Sequence, residues 1–134
     1  MVVVDASVVL DSAFGEGNAS EVDRVMVAVS TQGGLVPQHW RLEVANAFAT
    51  RLRNGRLERM QANLIAEALE KLAVETDACT GDKAWTETLD LAARYDLTVY
   101  DAACLELAQR RAAPLATFDK ALIRAALSAG VALI

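Results

Sequence analysis

Short apolar runs alternate with longer helical stretches along this chain, and that alternation restricts its fold more than any other feature. "VVV" at 2–4, "LV" at 35–36, "PLAT" at 114–117 and "VALI" at 131–134 are too short for helices and read as buried strands. Val74 and the stretch 97–99 offer further short strands or bridges. Between them, 7–14, 20–30, 41–53, 58–72, 82–95, 101–111 and 120–127 read as helices. Ser20 and Asp82 are expected to cap two of them, and Leu42, Ala45, Phe48, Ala49 and Leu52 to form the apolar stripe of a third. Strands alternating with helices predict an α/β fold, a short and mostly parallel central sheet flanked by helices on both faces. Right-handed crossovers then align the carboxyl ends of the strands along one edge.

The 134 residues suit one domain spanning 1–134, large enough for a real core. No apolar run approaches the roughly 18 residues of a membrane span, and the N-terminus lacks a basic region and cleavage site. A cytoplasmic protein with no membrane partner is expected. Cys79 and Cys104 sit in no metal-binding pattern and read as reduced thiols, Cys104 within the core. Trp40 and Trp85 read as packing residues, "LIAEALEKLAV" as core, Tyr100 as an anchor for a strand end, and His39 as a residue of a helix-cap region.

Asp5 follows the first strand, where a carboxylate serves no need of the strand itself. Glu43 lies in the first turn of the helix after "LVPQHW", Asp101 opens the helix after "LTVY", and Asp119 follows "PLAT". A parallel sheet brings all four to one edge, where α/β proteins bind ligands. Each has a local alternative, as a helix cap or a partner of the helix dipole. That account must hold four times independently at one edge. Two like charges about 4 Å apart repel by roughly 4 kcal/mol at an effective dielectric near 20. Four carboxylates in one pocket therefore need protons or a cation. Lys120 alone does not balance them, whereas Mg²⁺ or Mn²⁺, which prefer oxygen ligands, would. Such ions activate water and stabilise a phosphoryl group under attack. Ser7 and Thr117 offer hydroxyls to orient a carboxylate, and Asn46 shares the helical face of Glu43.

The net charge of −5 argues against binding nucleic acid by simple phosphate neutralisation. Bound cations remove that objection. In addition, Arg41, Arg51, Arg53, Arg56 and Arg59 crowd a helix–turn–helix stretch. Arg51 and Arg53 are the candidates for phosphate contacts. The alternative is a solvated face paired with Glu58 and its neighbours.

"VVVDASV", "PQHWRLEVANAF", "LTVYDAACLELA" and "LATFDKAL", in that order over almost the whole chain, resemble the PIN-domain proteins. Within that family they are similar to the VapC toxin ribonucleases of bacterial toxin–antitoxin pairs. The resemblance implies a PIN-like three-layer α/β/α sandwich. It makes Asp5, Glu43, Asp101 and Asp119 an acidic quartet that both holds metal and catalyses, with Ser7, Asn46 and Thr117 supporting it. It implies one or two Mg²⁺ or Mn²⁺ ions and cleavage of RNA, tRNA and rRNA among the candidates, to a 5′-phosphate and a 3′-hydroxyl. It also implies homodimers and a cognate VapB-type antitoxin whose C-terminal segment covers the groove, in a higher-order complex.

Three rivals remain. A DNA or flap nuclease of the same superfamily carries arch-like insertions that this short chain lacks. A phosphate-transfer domain of the dehalogenase type wants an aspartate where Ser7 stands, and a receiver domain wants an acidic pair near the first strand end. A catalytically inactive PIN-like binding module would not be stabilised by Mn²⁺.

Overall fold

A computed structural model describes residues 1–134. Strands β1 (Val2–Val4), β2 (Gly34–Val36), β3 (Val74–Thr76) and β4 (Leu115–Ala116) form one parallel sheet in the order β3-β2-β1-β4. Helices α1 (Ala6–Phe14) and α2 (Ala19–Gln32) connect β1 to β2, and α3 (Trp40–Arg53) and α4 (Arg59–Glu70) connect β2 to β3. The return to β4 runs through α5 (Thr80–Lys83), a π-helical turn over Ala84–Thr88, α6 (Leu89–Tyr95) and α7 (Val99–Arg111); α8 (Lys120–Ser128) follows β4. The chain winds outward from β1 to β3, then crosses back to the far side of β1. The strand order therefore reverses between β1 and β4, which opens a crevice at their carboxyl ends.

The pleat divides the core. Val2 and Val4 face α1, α2 and α3 beside Val8, Val25, Val29 and Val44, while Val3 faces α6, α7 and α8 beside Leu91, Leu105, Leu107 and Leu122. The result is a three-layer α/β/α sandwich with the continuous apolar strands of a sheet covered on both faces. At Gly34 a Cβ would stand 2.7 Å from Val74 Cγ1 and 3.2 Å from Val4 Cγ2. Only glycine lets these neighbouring strands pack so closely here.

Several expectations are corrected. Residues 97–99 are not a strand: the Thr98 hydroxyl caps α7, which places Asp101 in its first turn. Asn18, not Ser20, caps α2, and its side-chain oxygen accepts both the Glu21 N–H and the Ser20 hydroxyl. Asp82 lies inside α5 instead of capping it. "VALI" contributes one bridge, Leu133 to Leu115. The buried face of α3 is Trp40 and Val44, while Leu42 and Ala45 point outward, Leu42 with 75% exposure. The "LIAEALEKLAV" stretch is core only in part: Leu69, Leu72 and Val74 pack against the core half-buried, while Leu64 is exposed. Trp85 is 91% exposed on the π-helical turn and packs into nothing. Trp40 and Cys104 are buried as expected.

Candidate active site

Three segments meet at the crevice. Asp5 ends β1 and caps α1, accepting the Ser7 N–H at 3.3 Å; at 3% exposure it is the deepest acid of the site. Its Oδ2 also accepts the Ser7 hydroxyl and, at 2.9 Å, the Thr117 hydroxyl from the end of β4. Both hydroxyls are themselves fixed. Ser7 Oγ accepts the Phe118 N–H at 3.0 Å, and Thr117 Oγ1 accepts the Asp119 N–H at 3.1 Å. The loop after β4 is thus tied to β1 through one carboxylate oxygen. Oδ1 is left with the weak Cys104 thiol at 4.0 Å.

Glu43 reaches the same place from α3 and Asp101 from α7. Asp5, Glu43 and Asp101 each offer an oxygen, and all three oxygens lie within 4.8 Å of one another. Burial pushes the Glu43 carboxyl up to about 7, with further contributions from Asp5 and Asp101. Burial likewise lifts Asp101 to about 6, aided by the charges of Asp5 and Asp119 and opposed by the Thr98 hydroxyl. Desolvation is the larger cause at both acids, and the neighbouring negative charges add to it.

The fourth acid is placed differently. Asp119 is exposed and caps α8, its Oδ1 accepting the Leu122 N–H at 2.8 Å. It stands outside the close trio and acts on Asp101 by charge. Asn46 lines the cleft beside Glu43. Neither Arg51 nor Arg53 belongs to this cleft. Arg51 binds Glu16 at 3.0 Å and lies 3.9 Å over the Phe14 ring, while Arg53 makes no ion pair. Arg41 pairs with Glu70 at 2.6 Å, so the acids that neutralise this basic stretch are Glu16 and Glu70 and not Glu58.

Three residues that no sequence motif marks as functional, His39, Leu42 and Tyr100, belong to the site. With Glu43 and Asn46 they line a cleft of about 390 Å³. His39 stands at the N-cap of α3 without capping it, and its Nε2 is 3.7 Å from Glu43 Oε2. Burial lowers the imidazole below its ordinary value, against smaller opposing effects from the Tyr100 backbone and Asp5. The available signals were local: His39 is one helical turn before Glu43, and Tyr100 directly precedes Asp101.

The PIN domain family matches residues 2–127. The chain belongs to the PIN-domain family. Among solved structures, PAE2754 from Pyrobaculum aerophilum superposes with a TM-score of 0.68 at 22% identity, covering 92% of this chain and 84% of that one. FitAcB from Neisseria gonorrhoeae superposes with a TM-score of 0.64 at 16% identity, covering 100% of this chain and 96% of that one. No curated protein sequence matches significantly. At these identities the structural likeness speaks for the PIN fold alone. No helix of this PIN domain is long and apolar enough to cross a membrane.

A divalent ion fits the donor set. Three oxygen donors of hard character converge within 4.8 Å, two of them held above the ordinary carboxylate range, and the neighbouring imidazole is pushed toward neutrality. No basic side chain of the protein forms an ion pair with Asp5 or Asp101.

Proposed function

We propose that this PIN domain is a Mg²⁺- or Mn²⁺-dependent endoribonuclease of the VapC toxin type, hydrolysing RNA phosphodiester bonds. The observation that carries the reading is the convergence of Asp5, Glu43 and Asp101 at the crevice between β1 and β4. Asp5, Glu43 and Asp101 would hold the ion, which supplies Lewis acidity toward a phosphate and an activated water. Asp119, which acts on Asp101 by charge, is the fourth acid of this reading.

The protein's own part is positional. Ser7 and Thr117 fix Oδ2 of Asp5 and so hold that carboxylate in one orientation. Burial first, and then the charges of neighbouring acids, raise the affinity of Glu43 and Asp101 for protons, with which a bound cation would compete. An acidic crevice loaded with divalent ions attracts a phosphodiester that the bare carboxylates would repel.

A VapB-type antitoxin and a second copy of the chain are the partners in this reading. Met60 and Leu64 stand exposed on α4 and are the apolar side chains that such a partner would cover. Cytoplasmic action in a single domain completes the proposal.

The test is cleavage of total cellular RNA by purified protein with Mn²⁺, with EDTA, and with Asp101→Asn. Cuts that need Mn²⁺ and vanish in both controls support the reading. Metal binding by calorimetry without RNA cleavage, but with cleavage of single-stranded or flap DNA, replaces it by a DNA nuclease. Neither metal binding nor cleavage leaves a binding module.

A further inference from the structure

The cleft beside the carboxylates has one wall that ion binding does not explain. Tyr100 is 59% exposed although it directly precedes Asp101, and Leu42 is 75% exposed although it directly precedes Glu43. Each acid of α3 and α7 therefore has a large, solvent-facing side chain at its flank. The Tyr100 ring meets the His39 ring at a centroid distance of 5.1 Å and an interplanar angle of 55°. His39 Nε2 is buried without a hydrogen-bond partner, so the contact with the Tyr100 side chain is ring against ring. Asn46 adds an amide, donor and acceptor, to the same cleft. The cleft thus has an aromatic and aliphatic wall, one polar group able to read a base edge, and an acidic end at Glu43. Its volume of about 390 Å³ lies in the range of small-molecule sites.

We propose that this cleft is a nucleobase subsite: an unpaired base stacks on Tyr100 and Leu42 while its own phosphate reaches the carboxylates. This subsite rests on the nuclease reading and deepens it, because it names the side chains that hold the base next to the phosphate under attack. Aromatic side chains bind unstacked bases through their faces, and the amides of asparagine read base edges. A paired base has both faces covered and its edge engaged, and it cannot enter.

His39 is the only histidine of the chain, so its ring protons give a resolved signal inside the cleft. The experiment titrates the Mg²⁺-loaded protein with adenosine 5′-monophosphate and, separately, with ribose 5-phosphate, and follows the His39 ring protons by NMR. The expected result is a saturable upfield shift with the nucleotide and none with the base-free phosphate. Tyr100→Ala and Leu42→Ala should each weaken nucleotide binding about tenfold, and Tyr100→Phe should bind as the wild type does. These side chains face solvent, so the variants are expected to fold. Equal shifts with ribose 5-phosphate, or unchanged nucleotide affinity in Tyr100→Ala, would overturn the subsite. Base-dependent shifts in a protein that cleaves no RNA would retain the subsite and remove the nuclease reading instead.

Discussion

The Thr117 hydroxyl donates a 2.9 Å hydrogen bond to Asp5 across 112 residues of sequence. Both residues end adjacent parallel strands, so the bond closes the crevice where the strand order reverses. Thr117 Oγ1 also accepts the Asp119 N–H, so one hydroxyl sets the aim of Asp5 and the start of α8. Thr117→Val keeps the shape and deletes both bonds. A buried bond to a charged group is worth about 1.5–3 kcal/mol. The variant should lose about that much in urea unfolding, and its Mn²⁺ affinity by calorimetry should fall roughly tenfold or more. Undiminished metal affinity would mean that Asp5 holds its orientation without Thr117.

Glu43 and Asp101 predict an inverted pH dependence for the metal-free protein. Their folded-state values, about 7 and about 6, stand above the ordinary 4.5 and 3.8. Between the ordinary and the raised values the folded state holds protons that the unfolded chain has released. Stability in EDTA should therefore fall as pH rises from about 4 to about 7 and flatten above that. Manganese competes with those protons, so its stabilising effect should grow over the same window. Asp101→Asn removes one charge from the cluster. It should raise the melting temperature in EDTA by on the order of 3 °C and abolish most of the gain with Mn²⁺. Scanning melts at several pH values, with EDTA and with Mn²⁺, check both. Parallel curves for wild type and variant in EDTA would show that the carboxylates do not repel.

The sequence made Asp5 legible because an apolar run that ends in an acid has little local reason to do so. The parallel sheet followed from strands of two to four residues separated by helices. What escaped was detail that depends on the third dimension. Residues 97–99 carry strand-like side chains, yet Thr98 caps α7 through a hydroxyl bond to the Asp101 N–H, and that bond sets the register that aims Asp101 inward. The Leu42 stripe looked like core because helical spacing marks a face without saying what lies against it. In α3, Trp40 and Val44 meet the sheet, and Leu42 is left beside the cleft. The four acids looked equivalent along the chain. Only the structure separates the tight trio from Asp119, whose carboxylate is engaged by the first turn of α8.

Away from the crevice, Arg110 neutralises two buried acids. It donates to both oxygens of Asp77, at 3.1 and 2.8 Å, and to Glu106 at 2.8 and 3.2 Å. Burial pushes the Asp77 carboxyl up, but the bonds from Arg110 and Thr80 outweigh it and hold it below the ordinary value. This fork fastens the end of β3 to α7, the helix that carries Asp101. Arg110→Ala would leave two carboxylates buried and unpaired, a loss of about 3–5 kcal/mol. Urea denaturation should show it directly. Arg110→Met restores the bulk but not the charge and should recover little. Full recovery in Arg110→Met would show that packing, not pairing, is what matters at this position.

Arg51 and Arg53 look alike in sequence and should behave differently. Arg51 is held between Glu16 and the Phe14 ring, and Phe14 in turn meets Phe48 edge-on at 5.7 Å. Its guanidinium already has an anion and an aromatic face, so phosphate contact requires giving up both. Arg53 is exposed at the end of α3 with no acidic partner. If RNA crosses this end of the molecule, Arg53→Ala should reduce the slope of log affinity against log salt by about 1 and leave the melting temperature unchanged. Arg51→Ala should lower the melting temperature and leave the salt slope nearly intact. Binding of a labelled single-stranded RNA to the metal-loaded Asp101→Asn protein, measured at several salt concentrations, separates the two. Equal slopes for Arg53→Ala and its parent would place the RNA path on another face.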